Sequence, residues 1–285
     1  MSKTIIITGS SDGIGAAAAR RLSADGHTVV IVGRSRDKTV AVARETRSDF
    51  FVADFASLDE VRNLAAEITQ RYPRVDVLAN NAGGVFGEAS RTIDGFEKTI
   101  QVNHLAPFLL TNLLLPVLTA SHASVIQTAS DAARISGTLV IDDLNNDRGR
   151  SAIRAYGDAK LANILFMAEL QRRFGSAGIS AAAFHPGTVA SNFAAATPSR
   201  GMRLVYGNPL VRRLITTPAR AAEQLVWLAT EEGGVGWEAG AYYEKGRVAK
   251  KVHPQTTSIE LAKELWEVSA RMVGIDTSLN ISAES

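Results

Sequence analysis

The chain alternates short apolar runs, rich in β-branched residues, with longer segments whose apolar positions recur at helical spacing. The first pattern predicts buried strands and the second predicts amphipathic helices. The predicted strands are Thr4–Thr8, Thr28–Val32, Phe50–Ala53, Val75–Ala79, Ser124–Thr128, Ser180–Phe184 and Ala241–Tyr243. The predicted helices lie near 14–26, 37–46, 57–71, 94–118, 154–174 and 218–231. Apolar strands that alternate with helices form parallel sheets covered on both faces. We therefore expect an α/β fold with a doubly wound parallel sheet of about seven strands and helices on both faces. The whole chain, residues 1–285, is predicted to form one domain.

Two segments fall outside this alternation. Residues 131–154 contain a polar run from Asp142 to Arg150 and are predicted to form an excursion from the rim of the sheet. Residues 190–218 are interrupted by proline and glycine, which predicts a lid over a ligand. The apolar positions of this lid are Met202, Leu204, Val205, Tyr206, Leu210, Val211 and Leu214. They favour a small lipophilic ligand. Peripheral membrane contact through residues 200–214 is the alternative, because arginines are interspersed there.

Composition excludes several classes of protein. The formal net charge is +2, from 31 basic and 29 acidic residues, so nucleic acid is not an expected partner. The chain has no cysteine, which excludes disulfides and thiolate metal sites, and no His, Asp or Glu cluster has metal-ligand spacing. The apolar run Ile5–Ile7 is too short for the core of a signal segment, and the apolar stretch Leu105–Leu118 is shorter than the roughly 20 residues of a membrane span. We therefore expect a cytoplasmic protein without a metal.

A glycine-rich turn follows the first predicted strand and begins the first helix. Glycines at such a turn let the backbone approach a pyrophosphate held at the helix N-terminus. A plain strand-to-helix connection is the alternative, but its place in the first βα unit of an alternating chain favours dinucleotide binding on a Rossmann-type sheet. The cofactor contacts predicted in this turn are Thr8, Gly9, Ser11, Asp12, Gly13, Ile14 and Gly15.

The end of the second strand bears on which dinucleotide binds. An NAD-selective site usually has an acidic side chain there, which binds the ribose 2′-hydroxyl. Gly33 supplies no such group, whereas Arg34, followed by Ser35, offers a guanidinium suited to a 2′-phosphate. NADP(H) is therefore predicted in preference to NAD(H). After the third strand, Asp54 is predicted to bind the adenine amino group beside Phe55, and Ser57 is the better N-cap for the next helix.

Tyr156 and Lys160 are four residues apart in a predicted helix, so their side chains share one face. A phenol with a pKa near 10 is a poor acid or base at neutral pH, and a neighbouring ammonium group stabilises the phenolate. Many such pairs are merely solvated neighbours on a helix. The significance of this one depends on whether the rest of the chain places it beside a cofactor.

Together these motifs resemble the short-chain dehydrogenase/reductase family. The run Asn80–Gly83 after the fourth strand and the run His185–Ser191 after the sixth add to the resemblance, which covers residues 3–245. The resemblance implies a catalytic tetrad of Asn103, Ser130, Tyr156 and Lys160. It also implies cofactor contacts by Asn81, Ala82, Gly83, Tyr156, Lys160, Pro186, Gly187, Val189 and Ser191, with the nicotinamide carboxamide held by the last two.

Within that family the chain is most similar to the retinol dehydrogenase and WW-domain oxidoreductase branch. The likeness is carried by Asn103–Thr111, Lys160–Phe166, Gly240–Tyr243 and Leu265–Ser269. Ser130 and Tyr156 are 26 positions apart, and a long excursion between these residues is typical of that branch.

The resemblance implies an oxidoreductase that transfers hydride between NADP(H) and a lipophilic alcohol, aldehyde or ketone. Tyr156 would be the general acid or base, and Lys160 would hold the ribose hydroxyls and lower the pKa of that tyrosine. Ser130 would bond the substrate oxygen, and Asn103 would position a water that links Lys160 to solvent.

Two other functions remain open. The first is a regulator that senses NADP(H) without turnover, although such proteins commonly lose the Tyr–Lys pair that this chain keeps. The second is a C=C reductase resembling protochlorophyllide reductase, which would need a further proton donor near the substrate. His104 and His185 are expected to pack or to form hydrogen bonds. The stripe Leu109, Leu113, Leu114 and Val117 fits either the core or a subunit contact in a homo-oligomer.

Overall fold

The computed structural model describes residues 2–86, 90–187 and 216–276. Its centre is an eight-stranded sheet in the order β3-β2-β1-β4-β5-β6-β7-β8. The strands are β1 Thr4–Thr8, β2 Thr28–Gly33, β3 Asp49–Val52, β4 Val77–Asn80, β5 Ser124–Thr128, β6 Ser180–His185, β7 Tyr242–Glu244 and β8 Arg247–Val248. Strands β1 to β7 are parallel, and β8 runs antiparallel to β7. The predicted doubly wound α/β fold is confirmed.

Helices cover both faces of the sheet. They are α1 Gly13–Ala24, α2 Arg36–Thr46, α3 Leu58–Arg71, α4 Lys98–Ala120, α5 Ala132–Ile135, α6 Ala152–Phe174, α7 Pro218–Thr230 and α8 Ile259–Val273. Apolar residues of α1, α2 and α7 pack on one face with Ile5 and Ile7 of β1. Those of α3, α4, α6 and α8 pack on the other face with Ile6. This alternation follows from the two-residue period of side chains along a strand.

The sequence prediction missed three of the described strands and helices. Helix α5 has only four residues and lies within the predicted excursion. Strand β8 has two exposed residues and therefore lacks the apolar run that indicates a strand. Helix α8 was not predicted, although it carries an apolar stripe that includes Leu265, Trp266 and Val273 and is buried against α6. Most other boundaries differ by one or two residues from the prediction.

Helix α4, the most apolar of the described helices, differs from the prediction at both ends. Helix α4 begins at Lys98 rather than near residue 94, and it continues to Ala120. Its 23 residues are long and apolar enough, by length and composition alone, to cross a membrane, which the predicted stretch Leu105–Leu118 by itself is not. However, 83% of its most apolar window is buried inside the fold, as expected for a core helix. Leu109 and Leu114 are fully buried, and Leu113 is 36% exposed, so most of the predicted apolar stripe is core.

The excursion at residues 131–154 is a packed structure organised by Arg150. The guanidinium donates to the carbonyl oxygens of Thr138 (3.1 Å) and Asp143 (2.8 Å). It also forms an ion pair with the buried carboxylate of Asp158, at 2.8 Å. The backbone N–H of Thr138 donates to that same carboxylate at 2.6 Å. The excursion is thus held against the first two turns of α6, which carry Tyr156.

Candidate active site

The predicted functional residues converge at one edge of the sheet. Parallel strands bring their carboxyl ends together, and the chain crosses from one side of β1 to the other between β3 and β4. Ligands of open α/β sheets bind at this kind of switch point. The glycine turn follows β1, Asn81–Gly83 follow β4, Ser130 follows β5, and Pro186–Gly187 follow β6.

The glycine turn lies directly against the segment that follows β4. The Thr8 hydroxyl accepts hydrogen bonds from the backbone N–H groups of Asn81 and Ala82, both at 3.0 Å. The Asn81 amide donates to the Thr8 carbonyl at 2.9 Å. A Cβ on Gly9 (φ +65°) would lie 2.7 Å from Ala82 Cα, and one on Gly15 would lie 2.6 Å from Asn81 Nδ2. Both positions therefore require glycine.

The charged groups beside the turn include one that the sequence analysis missed. Asp12 caps α1 by accepting from the Gly13 N–H at 2.8 Å. Lys38, from the first turns of α2, forms a 2.8 Å ion pair with the other Asp12 oxygen. Arg34 is exposed at the end of β2, and Ser35 is the N-cap residue of α2. The sequence does not reveal that Lys38 lies beside the glycine turn, because Lys38 and Asp12 are 26 positions apart along the chain.

The residues after β3 have local structural roles. The carboxylate of Asp54 accepts from the Ala56 N–H at 3.0 Å, which closes a turn. Ser57 caps α3 by accepting from the Glu60 N–H at 3.3 Å, as predicted. The Phe55 side chain is 5% exposed and belongs to the core.

Lys160 is buried where α6 crosses the end of β5. Its side chain is 3% exposed, and Nζ donates to the Thr128 carbonyl at 2.8 Å. Burial lowers the pKa of Lys160 from 10.5 to about 7, because desolvation disfavours the charged ammonium. A Cβ on Gly83 would lie 3.2 Å from Lys160 Nζ and would overlap Asn103 Oδ1. Gly83 thus marks the place where the lysine and asparagine side chains meet.

Asn103 is held rigidly in a π-helical turn of α4, Gln101–Leu105. Its amide nitrogen donates to the carbonyl oxygens of Thr99 and Gly84, both at 2.9 Å. Its amide oxygen accepts from the Gly84 N–H at 3.1 Å. Single π-turns within α-helices occur frequently at functional sites. The apolar pattern of this helix carried no sign of the turn.

Tyr156 is half-buried on α6, one turn before Lys160. Lys160 Nζ lies 5.6 Å from the centre of the phenol ring, so the two side chains meet as their spacing predicted. The next residue, Gly157, occupies a position that requires glycine, which the sequence analysis did not predict. A Cβ there would lie 2.6 Å from the backbone nitrogen of Gly137, because the excursion passes against the helix at this point.

Ser130 is tied to its neighbours after β5. Its hydroxyl donates to Asp131 Oδ1 at 3.3 Å and accepts from the Ala132 N–H at 3.2 Å. His185, at the end of β6, accepts from the Asp131 N–H through Nδ1 at 3.3 Å. This confirms the prediction that His185 forms a hydrogen bond. Burial lowers the pKa of the His185 imidazole, although the nearby Asp131 carboxylate opposes the shift.

The last predicted segment is only partly within the described residues. Gly187 has a φ of +86°, which favours glycine, and a Cβ there would lie 3.4 Å from the Thr216 side chain. Val189, Ser191 and the apolar positions of the predicted lid lie outside the described residues, as does the segment 200–214 for which membrane contact was the alternative. Described structure resumes at Thr216, and the Thr217 hydroxyl caps α7.

Comparison with known proteins identifies the family. The sequence profile of the short chain dehydrogenases matches residues 3–200. Over 280 residues the chain is 41% identical to a Streptomyces protein provisionally assigned as the daunorubicin C-13 ketoreductase DnrU, covering 95% of this chain and 93% of that protein. It is 36% identical to human retinol dehydrogenase 13, covering 96% and 85% of the two chains.

A solved structure supports the same family assignment. The NADP complex of Pseudomonas aeruginosa RhlG superposes with a TM-score of 0.66 at 26% identity, covering 84% of this chain and 93% of that one. Members of the matched family use NAD(P)(H). The resemblance inferred from the motifs is confirmed. The chain belongs to the short chain dehydrogenase family of oxidoreductases, in its retinol dehydrogenase-like branch.

Proposed function

We propose that the protein is an NADP(H)-dependent oxidoreductase that interconverts a lipophilic alcohol with its aldehyde or ketone. One observation carries the proposal: the buried Lys160 ammonium lies close to both Tyr156 and Asn103, at the edge of the sheet where the glycine turn also lies. Bound nicotinamide would supply or accept the hydride. The residues of this chain would bind the cofactor, orient the substrate and move the proton. We also propose a cytoplasmic location, which fits a chain without cysteine.

The residues present fit a dinucleotide. At Gly9 and Gly15 a Cβ would overlap neighbouring segments, so only glycine allows this tight turn. The turn lets the peptide N–H groups at the start of α1 face a pyrophosphate. Arg34 and Lys38 are exposed at the end of β2 and the start of α2, where a ribose 2′-phosphate would lie. These two cations favour NADP(H). The likeness to an NADP complex supports the same preference.

Tyr156 would exchange the proton with the substrate oxygen. In the reducing direction the phenol donates a proton to the developing alkoxide, and in the oxidising direction the phenolate accepts it. Lys160 would stabilise the phenolate, since its ammonium is desolvated and lies close to the ring. Loss of a proton from Lys160 is also accessible near neutral pH, because burial lowers its pKa to about 7.

Ser130 and Asn103 would support that transfer. Ser130 would hydrogen-bond the substrate oxygen while negative charge develops there. Asn103 has its amide fixed by Thr99 and Gly84, so it would hold the local backbone and a water beside Lys160.

Exposed apolar groups near Tyr156 favour a lipophilic substrate. Ile153 is 58% exposed and lies three residues before Tyr156 on α6, so it shares a face with the phenol. Ile135 is 68% exposed on α5, and the Ser136 hydroxyl joins its segment to the Ile153 carbonyl at 3.2 Å. The two relatives are named for the reduction of a ketone and for retinol.

The test compares NADPH and NADH oxidation against a panel of lipophilic aldehydes and ketones. We expect turnover with NADPH in preference to NADH. Tyr156→Phe should lower kcat by about 10²- to 10⁴-fold, because the proton donor is lost, while the Kd for NADPH stays near the wild-type value. Tyr72→Phe is the matched control, since that phenol bonds Asp49 at 2.6 Å outside the site.

Three outcomes would contradict parts of the proposal. Turnover retained by Tyr156→Phe would remove the proton-transfer role. A preference for NADH would remove the role of Arg34 and Lys38. Tight NADPH binding without turnover of any substrate would favour a cofactor-sensing regulator.

A further inference from the structure

A polar chain of three residues lies behind the active site, and the proposed mechanism uses only its first member. The Ser130 hydroxyl donates to Asp131 Oδ1 at 3.3 Å. The Asp131 N–H donates to His185 Nδ1 at 3.3 Å, and His185 Nε2 lies 3.8 Å from Asp131 Oδ2. Ser130 and Asp131 follow β5, and His185 ends the neighbouring strand β6, so all three lie at the carboxyl edge of the sheet.

We infer that His185 is a positioning residue, which holds Asp131 so that the Ser130 hydroxyl stays available to the substrate oxygen. The inference rests on the proposed function, because it assigns His185 a role through Ser130. Nothing in it depends on the identity of the substrate.

Both nitrogens of the His185 ring face the same residue. Since Nδ1 accepts the Asp131 N–H, it carries no proton, and the neutral ring bears its proton on Nε2. Nε2 lies 3.8 Å from Asp131 Oδ2, which is too far for a hydrogen bond, so the neutral ring holds Asp131 through its backbone N–H. The ring thus fixes the backbone of the residue next to Ser130, and with it the point from which the Asp131 carboxylate extends.

The position of the Asp131 carboxylate determines what the Ser130 hydroxyl can do. At 3.3 Å the Ser130–Asp131 bond is long, so the hydroxyl can turn to a substrate oxygen at little cost. If the Asp131 backbone lost its bond to His185, the carboxylate could move closer to Ser130 and hold the serine hydroxyl proton in a shorter hydrogen bond.

Charges from several elements act on the His185 imidazole. Asp131 after β5 and Glu244 at the end of β7 favour its protonation, whereas Arg134 of α5 and Lys245 before β8 oppose it. Burial is the largest influence and lowers its pKa, so the ring is neutral at neutral pH. In acid, protonation of Nδ1 would break its bond with the Asp131 N–H. Activity should therefore fall on the acidic side through His185.

The experiment replaces His185 in the wild type and in Ser130→Ala. His185→Asn keeps an acceptor close to the position of Nδ1, whereas His185→Phe removes both ring nitrogens. We expect His185→Phe to lower kcat by about 10- to 100-fold, as a small misplacement of an active-site group does. His185→Asn should stay close to wild type, and neither variant should change the Kd for NADPH.

His27→Phe is the matched control. His27 Nδ1 also accepts a backbone N–H, that of Lys3 at 3.1 Å, but it lies at the opposite edge of the sheet. This variant should keep the wild-type kcat and the wild-type pH profile.

Two readouts separate positioning from a purely structural role. In the Ser130→Ala background, His185→Phe should cause no further loss of kcat, because the group through which it acts is gone. In the reducing direction, in which Tyr156 donates its proton and acid keeps Lys160 charged, the acidic limb of the kcat profile should be absent in His185→Asn. Additive losses, or an acidic limb that persists in His185→Asn, would overturn the inference. If Ser130→Ala itself leaves kcat unchanged, the role of Ser130 in the proposed function fails instead.

Discussion

Lys160 combines a structural cost with a functional benefit in one side chain. The ammonium is 3% exposed, it donates to the Thr128 carbonyl, and burial lowers its pKa to about 7. Folding therefore removes a proton-binding group from water in order to place it beside Tyr156 and Asn103. Sites that hold strained or desolvated groups for catalysis commonly reduce stability.

Replacing Lys160 should stabilise the cofactor-free protein. Lys160→Met removes the desolvation cost of the ammonium but also its bond to Thr128, so at pH 6 we expect a net gain of about 1–3 kcal/mol in the free energy of unfolding. In the wild type, the folded pKa of about 7 lies below the ordinary 10.5, so the unfolded chain binds more protons between these values. Stability should thus rise with pH across that range.

The measurement is urea unfolding of the cofactor-free protein between pH 6 and 10. Lys160→Met should show a smaller rise in stability with pH than wild type, and it should lose turnover. The exposed Lys263→Met on α8 is the control and should follow the wild-type curve. A Lys160→Met protein that is less stable at pH 6, with an unchanged slope, would contradict the desolvation argument.

Among the elements, the excursion and helix α6 depend on one another. Arg150 joins the carbonyl oxygens of the excursion to the carboxylates of Asp143 and Asp158, which are 4% and 5% exposed. Burial raises the pKa of Asp158, and Arg150 opposes that shift. The arginine therefore neutralises charge that would otherwise be buried alone beside the helix that carries Tyr156.

Arg150→Met should destabilise the fold by about 3–5 kcal/mol, the usual cost of removing one partner of a buried ion pair. The loss should shrink as pH falls. Without the guanidinium, the folded pKa of Asp158 rises further above its unfolded value, so protonation favours the folded state. Arg148→Met, an exposed neighbour in the same excursion, should lie within about 0.5 kcal/mol of wild type. Equal stability of the two variants in urea at pH 7 would refute the role of Arg150.

The sequence predicted some of these elements well and others poorly, for physical reasons. Strands β1, β2 and β5 and the Tyr156–Lys160 helix have strong apolar patterns and clear turns, so their type was predictable. The π-turn at Asn103 leaves no trace in apolar spacing, because all of its residues are buried. Contacts such as Lys38–Asp12 and His185–Asp131 join residues 26 and 54 positions apart, and only the fold brings these together.

At the scale of the whole molecule, helix α8, close to the end of the described chain, packs against the two helices that carry Asn103 and Lys160. Trp266 is 1% exposed and packs against Phe108 of α4 and Phe166 of α6, with ring centres 5.0 and 5.6 Å away. The Arg173 guanidinium lies 4.8 Å from the centre of the Trp266 ring and bonds Glu267 at 3.0 Å. The helices that carry Asn103 and Lys160 thus share one aromatic cluster with α8.

Trp266→Ala should cost about 3–5 kcal/mol of stability, because a large cavity opens between three helices. It should also weaken NADPH binding, since α4 and α6 lose a common packing partner. Trp227→Ala is the control on the opposite face of the sheet, where that ring packs on Tyr243 at 5.2 Å. The measurement is isothermal titration of each variant with NADPH at a temperature where both are folded, which separates a loss of NADPH affinity from a loss of stability. Unchanged NADPH affinity in Trp266→Ala would show that the site does not depend on α8.

The close packing around Gly9, Gly15 and Gly83 has a consequence for how this protein can change. Each of these positions is closed to any side chain, because a Cβ would meet backbone or buried side-chain atoms of a neighbouring segment. The shape of the proposed cofactor site is therefore fixed at the glycine turn by Gly9 and Gly15, and beside Lys160 and Asn103 by Gly83. Freedom to exchange one dinucleotide for another lies instead at the solvent-exposed Arg34, Ser35 and Lys38. A change of cofactor preference should accordingly require few substitutions and leave the catalytic half of the site untouched.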